Sequence, residues 1–259
     1  MFTILPVPHE ATTSYGKGTR NGPAAILKAL KQVEEFDEEL KLEIRPGKEY
    51  TIAKPASLAS LVARYASLLS SNTIPVMLGG EHSITSAAVK TCAQKFKNLS
   101  VLQFDAHADL RDKYQGRKDS HACAIRRVLE ICPAVQVGIR SISKEEYDWA
   151  EKSGQLKKMH LARKIEPVDK IEAQLSQNVY ITIDVDVFDP SIIPSTGTPE
   201  PGGMLWYEVL DILKGVCATK NVVGFDVVEL SPKKGDIVSD FTAARLVHKV
   251  MGYISSKKQ

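Results

Sequence analysis

The stretch LQFDAHADLRD, residues 102–112, passes from an apolar segment directly into Asp105, His107 and Asp109, which occupy every second position. Side chains two residues apart on an extended chain project to the same side of the backbone. If the chain stays extended here, we expect these three side chains to converge. The apolar residues before them are typical of a strand buried on both faces, so the point of convergence should lie where that strand ends.

Similar apolar runs recur along the chain and alternate with longer segments of helical spacing. Strands are predicted at Phe2–Leu5, Ile74–Leu78, Val101–Phe104, Val135–Gly138, Val179–Val185 and Val222–Val228. Helices are predicted at Pro23–Leu40, Leu58–Leu69, Ser83–Phe96, Lys144–Ser153, Tyr207–Ala218 and Phe241–Ile254. This alternation predicts an α/β fold in three layers, α-β-α, with a mainly parallel sheet between two layers of helices. No repeat or linker interrupts the pattern, and we expect a single domain over residues 1–259.

The composition excludes several classes of protein. Hydrophobic residues make up 43% of the 259 positions, which is enough for a substantial buried core. The net charge of +3 arises from scattered residues, so no long basic stripe indicates a nucleic acid or membrane partner. The first apolar run is too short for a signal sequence, and we expect a cytoplasmic protein. Four widely spaced cysteines form no CxxC pair, which argues against a zinc ribbon and a disulfide framework.

Polar motifs also follow three other predicted strands. GGEHS begins at residue 79, DVDVFDP at residue 184 and DVVEL at residue 226. Open parallel sheets bind their ligands at the carboxyl ends of the strands. We therefore expect four segments that are distant in sequence to meet at one edge of the sheet.

The expected convergence would concentrate carboxylates in one place. Neighbouring carboxylates repel one another and raise one another's pKa unless a cation lies between them. A pair of divalent metal ions would remove that cost, and oxygen ligands with a few imidazoles and no thiolate favour Mn²⁺ or Mg²⁺ over a structural zinc. Each motif alone has an ordinary explanation, since DxD is common in turns and Gly-Gly often precedes a helix. Their joint occurrence at successive strand ends favours a metal site.

Five sequence blocks resemble the signature motifs of the ureohydrolase family, which includes arginase and agmatinase. The blocks are GGEHSIT (79–85), FDAHADLRD (104–112), SHACAIRRV (120–128), ITIDVDVFDPSIIPSTGTPEPGG (181–203) and VGFDVVELSP (223–232). The segment TSYGKGTRNGPAAI, residues 13–26, also resembles the opening block of the family, so the likeness covers nearly the whole chain. The resemblance implies an arginase-like fold with a sheet of about eight strands.

The resemblance also implies two Mn²⁺ ions per subunit and the residues that bind them. One ion is expected on His82, Asp105, Asp109 and Asp184, and the other on Asp105, His107, Asp184 and Asp186. Asp105 and Asp184 would then bridge the two ions, together with a solvent-derived hydroxide that attacks the guanidinium carbon of the substrate. Three residues are expected to act in catalysis: Glu229 as the carboxylate that binds the guanidinium, His121 as the proton shuttle to the leaving amine, and Asp109.

The block around His121 decides the expected substrate. SHACAIRRV is more similar to the agmatinase motif than to the arginase motif, so we expect hydrolysis of agmatine to urea and putrescine. Ala122 and Cys123 replace the usual Gly and Thr of that motif. Glu81 replaces the usual Asp of the first block, and we expect this change to act on the neighbouring ligand His82.

Other functions remain open from the sequence. Arginine or guanidinobutyrate would be the substrate if Arg126 and Arg127 faced the site and bound a carboxylate, although we expect both to face solvent or to support the fold. Two-metal phosphoester hydrolysis would need basic residues aimed at a phosphate, and the sequence has no GxxxxGK loop. A non-catalytic, metal-containing binding protein is the third alternative. The family resemblance further suggests a homotrimer or a homohexamer.

Overall fold

A parallel sheet forms the middle layer of the protein. The structure, a computed structural model, describes residues 1–71 and 73–257, and within them the sheet has eight strands. β2 (Phe36–Asp37) and β3 (Leu42–Glu43) form a separate antiparallel pair. The strands of the large sheet are β1 (Phe2–Val7), β4 (Tyr50–Ile52), β5 (Ile74–Gly79), β6 (Leu99–Phe104), β7 (Ala134–Ile139), β8 (Met159–Leu161), β9 (Asn178–Asp184) and β10 (Asn221–Val228).

Two layers of helices cover the faces of this sheet. The described chain contains α1 (Gly22–Leu30), α2 (Leu58–Ser70), α3 (Thr85–Lys95), α4 (Ala124–Leu129), α5 (Lys144–Ser153), α6 (Val168–Ala173), α7 (Trp206–Thr219) and α8 (Ile237–Ser256). Buried side chains of α1, α6, α7 and α8 pack in one hydrophobic core, and those of α2, α3, α4 and α5 pack in the other. The predicted three-layer α/β fold is confirmed. None of these described helices is both long and apolar enough to cross a membrane.

Alternate residues of a strand face opposite cores, which explains why the strands are apolar throughout. In β9, Ile181 and Ile183 face the core that contains α7 and α8, whereas Tyr180 faces the other core. Each large apolar side chain that is buried in this way stabilises the folded state by roughly 1.5–3 kcal/mol. A shift of one residue in register would exchange the two faces, so this burial also specifies how the strands align.

The order of the strands brings distant segments together. Across the large sheet the order is β4-β1-β5-β10-β9-β6-β7-β8, and all neighbours are parallel. The central strands β5, β10, β9 and β6 therefore place their carboxyl ends along one edge. These ends are Gly79, Val228, Asp184 and Phe104. The expectation that four polar segments meet at one edge of the sheet is confirmed.

The predicted helix Pro23–Leu40 is wrong beyond Leu30. α1 ends at that residue, and the chain continues into the β2–β3 pair. The Asp37 carboxylate accepts hydrogen bonds from the backbone N–H groups of Glu39 and Leu40, and it thereby stabilises a turn in place of helical hydrogen bonds. The sequence pattern also does not predict β4 and β8, which have only three residues each, or α4 and α6, whose six residues make fewer than two helical turns.

The boundaries of the predicted domain are not tested by the fold. The assignment of residues 1–259 to one domain stays a prediction. Its last two residues, Lys258 and Gln259, lie outside the described residues.

An ion-pair network holds the β2–β3 pair against α8. The Lys249 ammonium lies 3.0 Å from carboxylate oxygens of both Asp37 and Glu39, and Lys249 and Asp37 are buried. Burial opposes the ionisation of Glu39, but hydrogen bonds from Lys214 and Lys249 outweigh it and lower the pKa of this carboxyl to about 2. The contribution of Glu39 to stability is therefore complete above its ordinary pKa of 4.5 and is lost as the pH falls towards 2.

Removal of the Lys249 charge is expected to destabilise the fold strongly. In Lys249→Met the buried Asp37 carboxylate would keep only one cation among the described residues, the more distant Arg245 at 4.0 Å, and breaking a buried ion pair costs about 3–5 kcal/mol. Lys214→Met is the matched control, because this lysine is half exposed where it pairs with Glu39 and exposed pairs contribute about 0–1 kcal/mol. Urea denaturation of both variants gives the two free energies of unfolding. An equal decrease in the free energy of unfolding in the two variants would contradict the role assigned to the buried Lys249–Asp37 pair.

Candidate metal centre and active site

The carboxyl edge of the sheet surrounds a cavity of about 150 Å³. Predicted site residues that line it are His107, Asp109, His121, Asp184, Asp186 and Glu229. His82 and Asp105 are buried behind this lining, in contact with Asp109 and Asp184. The structure therefore brings together every residue that the sequence analysis assigns to the metal site and to catalysis.

His82 presents one ring nitrogen to three carboxylates. Its Nδ1 lies 3.1 Å from Asp105, 3.3 Å from Asp109 and 3.5 Å from Asp184. The same nitrogen is buried and has no hydrogen-bond partner with suitable geometry among the described residues. The ligand atoms of His82, Asp105 and Asp109 lie within 4.8 Å of one another, which is a typical donor set for a divalent cation, and Asp184 lies beside them.

The tautomer of His82 follows from the groups around its other nitrogen, Nε2. The Thr182 hydroxyl donates its hydrogen to the buried Asp226, with 2.5 Å between the two oxygens. The same hydroxyl can therefore only accept a hydrogen bond from His82 Nε2, which lies 2.9 Å away. In the neutral ring, the form that binds a metal ion, Nδ1 then carries a lone pair towards the three carboxylates.

A second cluster forms around His107. Its Nδ1 lies 2.9 Å from Asp186 and 3.6 Å from Asp105. Asp105 belongs to both clusters, because its Oδ2 faces His82 and its Oδ1 faces His107. The groups that could hold a metal ion in the described residues are accordingly His82, Asp105 and Asp109, and Asp105, His107 and Asp186. Asp105, His107 and Asp109, which alternate along one segment, thus contribute to both clusters.

The two clusters concentrate negative charge in a buried place. Burial, with repulsion from Asp105, raises the pKa of Asp109 to about 7. Burial, with repulsion from Asp186, raises the pKa of Asp184 well above its ordinary range. The pKa of Asp105 falls instead, because His82 and His107 with protonated rings, as they are without a metal ion, outweigh the effect of burial. The histidines thus compensate only part of the charge, and the residues present fit divalent ions that would compensate the rest.

Glu229 and Asp109 both adopt a left-handed backbone conformation, with φ of 65° and 51°. Such a conformation costs a non-glycine residue about 1–3 kcal/mol and persists where surrounding contacts impose it. The backbone N–H of Glu229 donates to the Gly80 carbonyl, and its carboxylate accepts the backbone N–H of His82 at 2.7 Å. These bonds hold the Glu229 carboxylate at the cavity, where burial raises its pKa to about 8.

His121 is held in place by Thr12, which lies outside the sequence motifs. The Thr12 hydroxyl donates to Glu81 at 2.7 Å, so it can only accept from His121. The Nδ1 of His121 lies 3.2 Å from this hydroxyl and its backbone nitrogen lies 3.0 Å away. Nδ1 therefore carries the proton, and Nε2 is the basic nitrogen of the ring. Burial lowers the pKa of His121 below its ordinary value and so favours the neutral ring.

The expected action of Glu81 on His82 is wrong. The Glu81 carboxylate accepts hydrogen bonds from the backbone N–H groups of Ala11 and Thr12 and from the Thr12 hydroxyl. Its side chain is therefore directed at the N-terminal segment, whereas the ring of His82 is directed at the sheet. Glu81 reaches the cavity through Thr12 and His121, and among the described residues it belongs to neither of the groups that could hold a metal ion.

The paired arginines of the SHACAIRRV block support the fold, as expected. The Arg126 guanidinium stacks over the Trp149 ring at 3.9 Å. Arg127 pairs with Asp112 at 2.9 Å and with Glu130 at 3.1 Å. In the described chain, the cavity lining contains neither of them and includes Arg111. Arg126 and Arg127 are therefore not placed to bind the carboxylate of arginine or guanidinobutyrate in this cavity.

Three residues that the motif analysis overlooks support the ligands: Gln103, Thr182 and Asp226. Each is buried within a strand, and each bonds to a ligand or to a partner of a ligand. Their signal in the sequence is a polar residue inside an otherwise apolar run, which predicts a hydrogen-bonding partner in the core. The identity of that partner depends on the neighbouring strands.

Comparisons with known proteins agree with this geometry. Residues 1–252 match the sequence model of the arginase family. The chain is 37% identical to N(1)-aminopropylagmatine ureohydrolase of Synechocystis sp., over 96% of this chain and 88% of that protein. It is 36% identical to agmatinase of Pyrococcus horikoshii, over 97% of this chain and 91% of that protein. The solved structure of agmatine ureohydrolase of Thermoplasma volcanium is 27% identical, with a TM-score of 0.88 over 99% of this chain and 90% of that chain.

Mn²⁺ is expected to raise the melting temperature of the metal-free protein. A ligand present at 100 times its Kd stabilises the native state by about 2.7 kcal/mol. Asp105→Ala removes the carboxylate that both clusters share, so this variant should lose the shift. Glu229→Gln leaves both clusters intact and should retain it. Thermal denaturation after dialysis against a chelator, with and without added Mn²⁺, measures the shifts. A full shift in Asp105→Ala would show that the ion binds elsewhere.

Proposed function

The chain belongs to the arginase family and is a hydrolase, and on this premise we propose that it cleaves the guanidinium group of agmatine to urea and putrescine. One observation carries the proposal: two clusters of metal-binding groups, which share Asp105, lie at the same cavity as Glu229 and His121. The agmatinase among the relatives supports the choice of substrate. A cytoplasmic location and assembly into a homotrimer or homohexamer stay predictions from the sequence.

Two Mn²⁺ ions are proposed as the cofactors. His82, Asp105, Asp109 and Asp184 would hold one ion, and Asp105, His107, Asp184 and Asp186 would hold the other. When bound, the ions would lower the pKa of a coordinated water from about 15.7 to near 7, which supplies a nucleophile at neutral pH. The donor set of oxygens and imidazole nitrogens without a thiolate supports manganese over a structural zinc.

Glu229 is proposed to bind the guanidinium of the substrate. Its carboxylate lines the cavity and is held there by the backbone N–H of His82. A carboxylate can accept two parallel N–H bonds from a planar guanidinium, which combines charge with a defined orientation. The substrate cation would also stabilise the ionised form of this buried carboxyl. Asp109, the third residue proposed for catalysis, lies between the cavity and His82.

His121 is proposed to give a proton to the leaving amine. Because Nδ1 is bound to Thr12, Nε2 is the nitrogen that can take up and release a proton. The negative charge of Glu81, behind Thr12, stabilises the protonated ring while it carries that proton. An imidazole can take up and release a proton through one nitrogen while the other stays hydrogen-bonded, which suits this task.

The mouth of the cavity supports agmatine over arginine. The Arg111 guanidinium lies 5.2 Å from the centre of the Tyr114 ring and 3.8 Å from Glu146, so its charge is already partly balanced. Arg111 is therefore less available to the α-carboxylate of arginine, whereas agmatine ends in an amine and has no such group to bind. A substrate elongated at that amine is the second candidate, because the Synechocystis relative is an N(1)-aminopropylagmatine ureohydrolase.

Urea should be released from agmatine, from N(1)-aminopropylagmatine, or from both. The Mn²⁺-loaded protein is incubated in turn with these two compounds, with arginine and with guanidinobutyrate, and urea is measured. Glu229→Gln should keep the metal-induced stabilisation but lose about 10- to 100-fold in kcat/KM, because a hydrogen bond to a charged group contributes about 1.5–3 kcal/mol. Urea from arginine alone would overturn the proposed substrate. Urea from none of the four would overturn the proposed reaction.

Thr12→Val should lower kcat with little change in KM. The substitution keeps the shape of the side chain but removes the hydroxyl that joins Glu81 to His121. Since general acid–base catalysis contributes about 10²–10⁴-fold, a misoriented His121 should reduce kcat by about 10- to 100-fold. Thr91→Val is the control, because Thr91 is buried and bonds only to the Ala87 carbonyl within α3, away from the cavity. Equal losses in steady-state kcat would refute the orienting role of Thr12.

A further inference from the structure

Three glutamine side chains form a hydrogen-bonded row behind the metal-binding clusters. Gln103 lies in β6, Gln136 lies in β7 and Gln155 follows α5, and all three are buried. Gln155 Nε2 donates to Gln136 Oε1 at 3.1 Å, and Gln136 Nε2 donates to Gln103 Oε1 at 2.7 Å. Gln103 Nε2 in turn donates to Asp105 Oδ2 at 2.6 Å. We call Gln103, Gln136 and Gln155 the amide row, and it ends on the carboxylate that both clusters share.

The direction of the donors along the amide row is imposed by groups that can only accept. Besides its bond within the row, the NH₂ group of Gln155 donates to the Ala134 carbonyl at 3.1 Å. The NH₂ group of Gln136 likewise donates to the Ala108 carbonyl at 2.8 Å. Turning either amide over would place oxygen against oxygen. Gln103 therefore keeps its own oxygen towards Gln136 and presents its NH₂ group to Asp105.

The bond from Gln103 completes the environment of Asp105. The other oxygen, Oδ1, accepts the backbone N–H of His107 at 2.6 Å. Each oxygen of Asp105 thus has one fixed protein donor. Each also keeps a lone pair on the side of its own cluster, since Oδ2 faces His82 and Oδ1 faces His107. A carboxylate bound in this way is oriented to serve both clusters.

The amide row also holds the backbone of the ligand segment. Gln136 binds the Ala108 carbonyl, and Gln103 lies 3.4 Å from the His107 carbonyl. Burying three amides costs free energy unless their hydrogen bonds are made, and apolar side chains at these positions would avoid that cost. The amide row is therefore best explained by what it does for the segment that carries Asp105, His107 and Asp109.

We propose that the amide row is a positioning device for the metal site. Gln103 orients the shared carboxylate of Asp105, and Gln136 and Gln155 hold Gln103 in the orientation that does so. The inference rests on the metal binding in the proposed function. Hydrogen-bonding partners behind metal ligands typically change metal affinity by about 10- to 100-fold, which sets the size of the expected effect.

The test compares three matched variants, Gln103→Met, Gln136→Met and Gln155→Met. Each replaces an amide by an unbranched apolar side chain of similar length at a different distance from Asp105. Calorimetric titration of the metal-free proteins with Mn²⁺ gives the Kd. Gln103→Met is expected to weaken binding by about 10- to 100-fold, Gln136→Met by less, and Gln155→Met least of all. Urea denaturation of the metal-free variants measures the cost to stability separately.

A spectroscopic readout distinguishes positioning from general support. Electron paramagnetic resonance of the Mn²⁺-loaded proteins reports the magnetic coupling of neighbouring ions, which depends on the groups they share. Gln103→Met is expected to change this coupling, and Gln155→Met is expected to leave it unchanged. A decrease in affinity that merely parallels the loss of stability in all three variants would overturn the inference.

The Mn²⁺ affinities also distinguish a failure of the amide-row inference from a failure of the proposed function. Equal Mn²⁺ affinity in the wild type and in Gln103→Met would overturn the inference and leave the proposed function in place. A wild type that binds no Mn²⁺ would overturn both. If Gln103→Met does not fold, Gln136→Met decides the question, because it frees the Gln103 amide to turn over. Wild-type affinity in Gln136→Met would then overturn the inference.

Discussion

The mutual repulsion of buried carboxylates is the constraint on which the candidate active site depends. Asp105, Asp109, Asp184 and Asp186 converge where two neighbouring strands end, and all four are buried. Charges of one sign can remain ionised in such a place only if cations and hydrogen-bond donors surround them. Much of the structure around the cavity supplies these donors, and the remaining charge is what makes the residues suitable for divalent ions.

The sheet itself supplies the groups that orient the ligands. Asp226 and Thr182 fix the tautomer of His82 from within β10 and β9, and Gln103 fixes Asp105 from within β6. These groups lie on strands that are packed on both faces, so they have little freedom to move. A site built on such strands holds its geometry more closely than one built on loops alone.

The groups proposed for substrate and proton transfer depend on a different part of the chain. The N-terminal segment brings Thr12 to Glu81 and His121, and the left-handed backbone of Glu229 aims its carboxylate at the cavity. The candidate metal ligands are thus oriented by groups of the sheet. His121 is instead held by Thr12 of the N-terminal segment, which Glu81 binds in turn. The cavity between these parts is accordingly lined both by loop residues, such as Ser14 and Thr198, and by residues at the ends of the strands.

The sequence by itself determined the alternation of strands and helices and the segments that carry the candidate metal ligands, because periodicity and short motifs are local properties of a chain. It did not determine the end of α1, where Asp37 turns the chain and binds Lys249 of a distant helix. Nor did it determine that Glu81 serves His121, or that Gln103 ends a row of amides. Only the tertiary structure decided these points, because hydrogen bonds between residues far apart in sequence exist only once the strands have taken their order.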